Sequence, residues 1–355
     1  MGMPAKIATW QMTEPGKLIK TSIDAPELQP GEVLVEIAGC GVCHTDISYF
    51  FHGVPTVTKP PLTLGHEISG KVVAGDEHLL GKEVIVPAVM PCNKCAVCAS
   101  GRGNRCLKQK MPGNSLGVYG GFSSHIPVPA DDLCFIEDRA GMPPEMFSVV
   151  ADAITSPYQA ARRAGLQEGD LVLITGAVGG IGTYMTQIAS VLGAKEVIAV
   201  DRVAEKLEQS LQYGATATID TTGKNTKDIR GEFKTYCKSK NLPSHGWKFF
   251  ECTGVRAGQE ICLDLLGFIG KMIVVGYGTQ KIEYMFSRLM AFDAEIIGTW
   301  GCLPKYYPEV LKLVLANKIK VEPFVETRPM SRIESVLAEA HAGRLKKRVI
   351  LTPDF

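Results

Sequence analysis

Apolar positions alternate with polar ones in the strand period through Glu32-Val-Leu-Val-Glu-Ile-Ala, between Pro30-Gly31 and Gly39, which predicts a strand with one buried face. Ile68-Ser-Gly-Lys-Val-Val-Ala and Glu83-Val-Ile-Val-Pro carry a similar pattern. Short strands punctuated by Gly and Pro over residues 1 to about 90 predict a β-rich, barrel-like domain, and no internal repeat is evident. The pattern then changes. Residues 145–164 read as helical on either side of Pro157. From residue 170 strands and helices alternate: Asp170-Leu-Val-Leu-Ile-Thr-Gly176, a periodic helix from Thr183, Lys195-Glu-Val-Ile-Ala-Val-Asp201, then strands at 215–220, 247–254, 271–276 and 295–298. Such alternation implies a parallel, doubly wound sheet. A helix over 304–317, another near 331–342 and a final strand at Arg348-Val-Ile-Leu complete the chain. The expected organisation is a β-rich domain at 1–156, an alternating α/β domain at 157–295, and a tail, 296–355, that returns to the first domain.

The turn between the first strand and first helix of the alternating region reads Gly176-Ala-Val-Gly179-Gly180-Ile181-Gly182. Glycines here let the backbone approach a pyrophosphate seated at a helix N-terminus. Ala177 occupies the first place of the strict G-x-G-x-x-G, so the turn is a variant of that motif. Asp201, about twenty positions on at the end of the second strand, is placed to accept hydrogen bonds from an adenosine ribose and to repel a 2′-phosphate, which favours NAD over NADP. Arg202 follows directly and pulls the other way.

Two groups of metal-ligand residue types precede this region. Cys92, Cys95, Cys98 and Cys106 stand at C-x2-C-x2-C-x7-C, which delivers four thiolates on one loop, as a closed structural zinc requires. Disulfides, an iron–sulfur cluster and unrelated cysteines are the competing readings. The last gap of seven residues with no following proline does not suit a ferredoxin-like cluster. Upstream, Cys40-Gly-Val-Cys43-His44-Thr45-Asp46 ends a predicted strand, and Gly65-His66-Glu67 follows some twenty residues later. A catalytic zinc takes three protein ligands and keeps a fourth position open. Asp152 lies in apolar company, where an unpaired carboxylate is costly, and is a candidate third ligand.

Composition removes several function classes. The 355 residues carry a formal net charge of +1, which gives no argument for a nucleic-acid or membrane partner. The basic run Arg344-Leu-Lys-Lys-Arg348 reads as a solvated face. No apolar run reaches membrane-span length, and the N-terminus lacks the apolar core of a signal peptide. Eleven cysteines, an odd number, suit a reducing cytoplasm.

Taken in order, Gly41-Val42-Cys43-His44-Thr45-Asp46, Gly65-His66-Glu67, the Cys92/95/98/106 loop and the glycine turn resemble the zinc-dependent medium-chain alcohol dehydrogenases over the whole chain. The resemblance implies an α/β architecture, with a GroES-like β-rich catalytic domain beside a Rossmann domain. It implies NAD as cofactor and two zincs per chain. The catalytic zinc would be held by Cys43, His66 and a third ligand; many members use a cysteine six residues before an aromatic, and here Asp152 stands six before Tyr158. Glu67 matches a carboxylate that can act as alternate ligand, and Asp46 the partner that orients the ligand histidine. Such a zinc lowers the pKa of the alcohol. Thr45 matches the hydroxyl that takes the alcohol proton, and His44 a residue facing the cofactor pyrophosphate. Ser48 stands where many members end the proton relay on a histidine, and the nearby His52 is not assigned that role. A homodimer or homotetramer, joined through the cofactor domain, is implied as well.

Further stretches resemble dehydrogenases that act on cyclic alcohols carried as CoA thioesters in aromatic degradation: residues 55–67, Gly101-Arg-Gly-Asn-Arg-Cys, Met111-Pro-Gly-Asn-Ser and residues 287–302. They imply an allylic ring alcohol oxidised to a conjugated ketone, with conjugate addition to the enone as a side activity. Arg102, Arg105, Lys108 and Lys110 are candidates to meet CoA phosphates and read equally well as a solvated loop. The alternatives are a zinc dehydrogenase for a free cyclic, allylic or aromatic alcohol and, in a different class, a quinone-reductase-like binding protein without catalytic zinc.

Overall fold

The computed structural model describes residues 3–355. Its strands are β1 (Lys6–Glu14), β2 (Lys17–Asp24), β3 (Glu32–Gly41), β4 (Leu62–Thr63), β5 (Glu67–Ala74), β6 (Glu83–Val86), β7 (His125–Pro129), β8 (Cys134–Ile136), β9 (Leu171–Thr175), β10 (Glu196–Asp201), β11 (Ala217–Asp220), β12 (Lys248–Glu251), β13 (Lys271–Val274), β14 (Glu295–Gly298), β15 (Val325–Pro329) and β16 (Arg348–Thr352). They fall into two compact units. The first holds the chain up to Thr155 with Gly301–Ala316 and Val321–Phe355; the second holds Ser156–Trp300 and Asn317–Lys320.

In the first unit, β2-β1-β4 form a small antiparallel sheet, and a seven-stranded sheet runs β15-β16-β3-β5-β6-β8 with β7 on β3. Strand β3 sits at its centre because its side chains can be buried there. Val33, Leu34, Val35, Ile37 and Cys40 are all at most 4% exposed, and they pack with Ile68, Val84, Phe122, Val349 and their neighbours. β3 pairs antiparallel with β5 in a register that sets Gly41 opposite Glu67, and with the late strand β16 through Cys40 and Gly41. Residues far apart in sequence thus meet at one end of β3.

The second unit is the expected doubly wound sheet. Its order is β11-β10-β9-β12-β13-β14 with every pair parallel. Every side chain of β9, Leu-Val-Leu-Ile-Thr, is buried, as a central strand covered on both faces requires. The strand order reverses between β9 and β12, and open α/β sheets bind ligands beyond the strand C-termini at such a reversal.

Three local expectations are corrected. Residues 145–164 are not broken at Pro157. A 3-10 segment covers Pro144–Ala151 and an α-helix Thr155–Ala164, so Pro157 lies in the helix's first turn, where its missing N–H costs nothing. The interruption falls instead at Asp152. The strand proposed over 247–254 is only Lys248–Glu251, because Glu251 draws the following residues into a turn. Arg348 is not solvated: its side chain is 7% exposed. Among the described residues no helix is long and apolar enough to cross a membrane.

Trp247 anchors the core of the second unit, 1% exposed, with its ring edge-on to Phe233 at 4.8 Å and its indole N–H donated to the Pro243 carbonyl at 2.9 Å. Trp247→Ala is expected to cost roughly 3–5 kcal/mol, read as a lowered denaturant midpoint at unchanged metal content.

Candidate metal centre and active site

Cys43 follows β3 and caps the helix His44–Phe50, while His66 immediately precedes β5. The Gly41–Glu67 register therefore carries both residues to the same place. Asp46, 1% exposed, ties the two segments together. One of its oxygens accepts from the Cys43 N–H and the other from the Gly65 N–H, each at 3.0 Å. The second oxygen also lies 3.5 Å from His66 Nδ1. That contact fixes the ring and leaves Nε2 facing the cluster, as a partner behind a ligand histidine does.

His66 Nε2 is 3.6 Å from Asp152 Oδ2, and Cys43 Sγ is 3.8 Å from the same oxygen. Donor atoms of Cys43, His66, Glu67 and Asp152 all lie within 4.8 Å of one another. Metal–ligand distances of about 2.0–2.3 Å in a tetrahedron require ligand edges of about 3.3–3.8 Å. A thiolate, an imidazole and carboxylates form a donor set suited to zinc. Burial by itself would lower the His66 pKa, but Asp46, Asp152 and Cys43 outweigh it and hold the imidazole well above the ordinary range. A sulfur, an imidazole nitrogen and two carboxyl groups thus converge on one point, a donor set that a divalent cation takes. Glu67 Oε2 is buried without a hydrogen-bond partner and offers one more donor.

Two supports were not legible as site residues in the sequence. Arg348 donates to Glu67 Oε1 at 2.7 Å and to the Val42 carbonyl at 3.2 Å. Burial pushes the Glu67 carboxyl up to about 7 against the opposing charge of Arg348. The signal for Arg348 was its place at the head of the apolar strand Val-Ile-Leu, where a side chain alternating inward needs a partner. The Tyr307 hydroxyl donates to the Ala151 carbonyl and accepts from the Ala88 N–H at 3.1 Å. The Thr155 hydroxyl donates to the same carbonyl at 3.1 Å. These bonds fix the peptide just before Asp152.

Of the relay candidates, Thr45 Oγ1 lies 3.8 Å from Cys43 Sγ and so borders the cluster. The Ser48 hydroxyl donates to the His44 carbonyl at 3.0 Å within its own helix, and that is its one hydrogen bond among the described residues. His44 is solvent-accessible, yet its pKa lies below the usual histidine value, through partial desolvation and then the charges of His52, Arg348 and His341. The rings of His52 and His341 meet at 3.3 Å between their Nε2 atoms.

The second cysteine group closes on itself. Sulfur–sulfur distances are 3.5 Å for Cys95–Cys98, 3.7 Å for Cys95–Cys106 and 3.3 Å for Cys92–Cys106, near the ~3.8 Å edge of a ZnS4 tetrahedron and far from a disulfide bond. Backbone N–H groups of Leu107 and Cys98 pull the Cys95 thiol down to about 6. Desolvation, then crowding by Cys95 and Cys106, pushes Cys98 up to about 12. All eleven cysteines are free thiols. Of the nearby basic residues, Arg102, Arg105 and Lys108 are exposed, whereas Lys110 is engaged by Glu32 at 3.0 Å.

In the second unit Gly176–Gly182 lies between β9 and the helix Gly182–Val191. A Cβ on Gly182 would fall 1.9 Å from the Gly176 carbonyl oxygen, so this close turn requires glycine there. Gly179 and Gly180 are exposed, Ile181 partly so. Asp201 accepts from the Val178 N–H at 3.2 Å and the Arg202 N–H at 2.7 Å, which links the acidic residue to the turn itself. Arg202 is exposed.

Residues 29–138 match the alcohol dehydrogenase GroES-like domain, and residues 180–316 match the zinc-binding dehydrogenase domain. An alcohol dehydrogenase of Geobacillus stearothermophilus is 30% identical over 337 residues, covering 94% of this chain and 95% of its own. The chain belongs to the zinc-dependent medium-chain alcohol dehydrogenase family. A D-xylulose reductase of Saccharomyces cerevisiae is 27% identical over 336 residues, covering 89% of each chain. Among solved structures, galactitol-1-phosphate dehydrogenase from Escherichia coli superposes with a TM-score of 0.86 at 24% identity, covering 98% of this chain and 100% of that one. Acetophenone reductase from Geotrichum candidum, in complex with NAD, gives a TM-score of 0.85 at 25% identity, covering 99% and 97%. The dehydrogenase is therefore an oxidoreductase acting on an alcohol with a nicotinamide dinucleotide, and the non-enzymatic alternative is set aside.

Arg348→Met is expected to leave the Glu67 carboxylate buried without its countercharge, at roughly 3–5 kcal/mol. Adding Glu67→Gln should recover much of that loss in denaturant unfolding. Equal stability of the single and double variants would show that the pair does not hold this site together.

Proposed function

We propose that this dehydrogenase oxidises a cyclic allylic secondary alcohol to a conjugated ketone with NAD, the alcohol being 6-hydroxycyclohex-1-ene-1-carbonyl-CoA of anaerobic benzoyl-CoA degradation. The observation that carries the chemistry is the convergence of Cys43, His66 and Asp152 within 4.8 Å, with Glu67 beside them. These residues would hold a catalytic zinc, and Cys92, Cys95, Cys98 and Cys106 a structural one. Bound zinc supplies Lewis acidity toward a hydroxyl oxygen. Asp46 keeps His66 in its ligand tautomer, Arg348 holds Glu67, and Thr45 offers the hydroxyl nearest the cluster to accept the alcohol proton. The Ser48 hydroxyl, donated to the His44 carbonyl, has lone pairs that can accept a hydrogen bond at the end of the relay but passes no proton onward in that arrangement. His44, whose pKa partial desolvation and its neighbours hold below the usual histidine value, and the Gly176–Gly182 turn would serve the cofactor pyrophosphate. Asp201, anchored by two backbone donors, supports NAD over NADP, against the pull of the exposed Arg202 beside it.

The thioester rests on the substrate-related stretches at 55–67, 101–106, 111–115 and 287–302. Arg102, Arg105, Lys108 and Lys110 are the candidates for the CoA phosphates, Lys110 being already paired with Glu32 at the surface. The enone product is electrophilic at its ring β-carbon, so water or NADH hydride can add there as a side activity. Incubation of the enone-CoA with the zinc enzyme should then give products beyond ketone reduction that a zinc-free control does not give. The fully reduced cysteines suit a cytoplasmic location. The edge strand β14, with Met285, Phe286 and Met290 67–78% exposed beside it, supports assembly with a second copy of this chain through the cofactor-binding unit.

Turnover of 6-hydroxycyclohex-1-ene-1-carbonyl-CoA with NAD, followed by NADH absorbance, tests the substrate; cyclohex-2-enol and sorbitol are the free-alcohol controls. Fast oxidation of the thioester alone is expected. Turnover of the free alcohols alone would discard the CoA reading and favour the alcohol and polyol chemistry named for the relatives. Metal analysis is expected to give two zincs per chain, and Cys98→Ser one, with the catalytic zinc retained.

A further inference from the structure

Glu251 ends β12 and is 0% exposed, a costly place for a carboxylate. Its partners are neutral donors from the loop that follows. Oε1 accepts from the Thr253 N–H at 2.7 Å, from the Thr253 hydroxyl, and from the Gly254 N–H at 3.0 Å. Oε2 lies 3.3 Å from the same Gly254 N–H, and the Gln259 side chain adds a donor. Burial raises the Glu251 pKa while all of these donors oppose the rise. Two backbone N–H groups, a hydroxyl and an amide thus converge on one buried carboxyl group, which ties residues 253–254 to the end of β12.

What those residues support is the glycine turn. The Cys252 N–H donates to the Thr175 carbonyl at 3.0 Å and the Gly176 N–H to the Val200 carbonyl at 2.9 Å, which joins the C-terminal ends of β12, β9 and β10. Gly176 sits at φ +70, and a Cβ there would lie 2.7 Å from Thr253 Cγ2. On the other side of the loop, a Cβ on Gly254 would lie 2.1 Å from the Tyr277 carbonyl oxygen. Thr253 thus occupies the space a side chain at 176 would need, and the Tyr277 backbone the space a side chain at 254 would need, so the turn and the loop fit against each other only with glycine at both places.

We infer that Glu251 is a positioning residue for the dinucleotide: it holds Thr253 and Gly254 as the floor on which Gly176–Gly182 takes its pyrophosphate-binding shape. The inference rests on the reading of that turn as the cofactor site. Glu251 itself touches no cofactor and acts through Thr253. An amide in its place has one oxygen to accept and turns two N–H groups toward the loop's donors.

The zinc-loaded wild type and Glu251→Gln are titrated with NAD, NADP and ADP-ribose, binding being followed by calorimetry rather than by turnover. All three dissociation constants should rise by the same factor, about tenfold, because the three ligands share the pyrophosphate. Asp201→Ala should instead change the ratio of NAD to NADP affinity. Thr253→Val removes the hydroxyl donor while keeping a methyl beside Gly176 and should weaken binding about threefold. Glu251→Gln with a lower Tm but unchanged affinity for all three ligands would overturn the inference, leaving Glu251 purely structural. If that variant does not fold, Thr253→Val binding like wild type overturns it equally. Failure of the wild type to bind any of the three would remove the cofactor reading of the turn and the inference with it.

Discussion

Charge balance among buried groups governs the catalytic unit. Asp46, Glu67, Cys43 and Asp152 surround the single imidazole of His66. A buried negative charge is tolerated only with hydrogen bonds, a countercharge or a metal, and the structure uses the first two openly. Asp46 is satisfied by two backbone N–H groups and Glu67 by Arg348. Cys43 and Asp152 share His66 as their neighbour, and a divalent cation among them completes the balance. The register of β3 with β5, the bend of the chain at Asp152 and the approach of β16 all serve this arrangement.

The cysteine loop meets the same requirement by other means. Its four sulfurs come from one fifteen-residue span and are held by turns and backbone N–H groups rather than by strand pairing. Local spacing is enough to build it. The catalytic cluster draws on three separated segments and depends on the whole sheet.

That contrast explains what was legible in the sequence. The cysteine spacing, the glycine turn and the parallel alternation were readable because each is a local pattern, and the doubly wound sheet follows from the last. The meeting of Cys43, His66 and Asp152 came through family resemblance, since neither residue type nor spacing states that β3 and β5 pair at Gly41 and Glu67. Arg348 was misread because a run of basic residues looks like a solvated face, and only the pairing of β16 with β3 turns its side chain inward. Pro157 was taken as a break because its place in the first helical turn depends on where Asp152 ends the preceding segment. Glu251 shortened its strand for a reason composition does not display: its side chain outcompetes the ladder for the next N–H groups.

Arg348 stands in β16, which joins the large sheet by pairing with β3 at Cys40 and Gly41, and its partner Glu67 lies 281 positions away in sequence. A contact of that separation forms only after the chain between has been brought together, and loop-closure entropy is met before the contact repays it. The guanidinium that faces Glu67 is therefore delivered by the non-local part of folding and not by any nearby turn. The metal-facing pocket and the closure of the large sheet are thus one cooperative event.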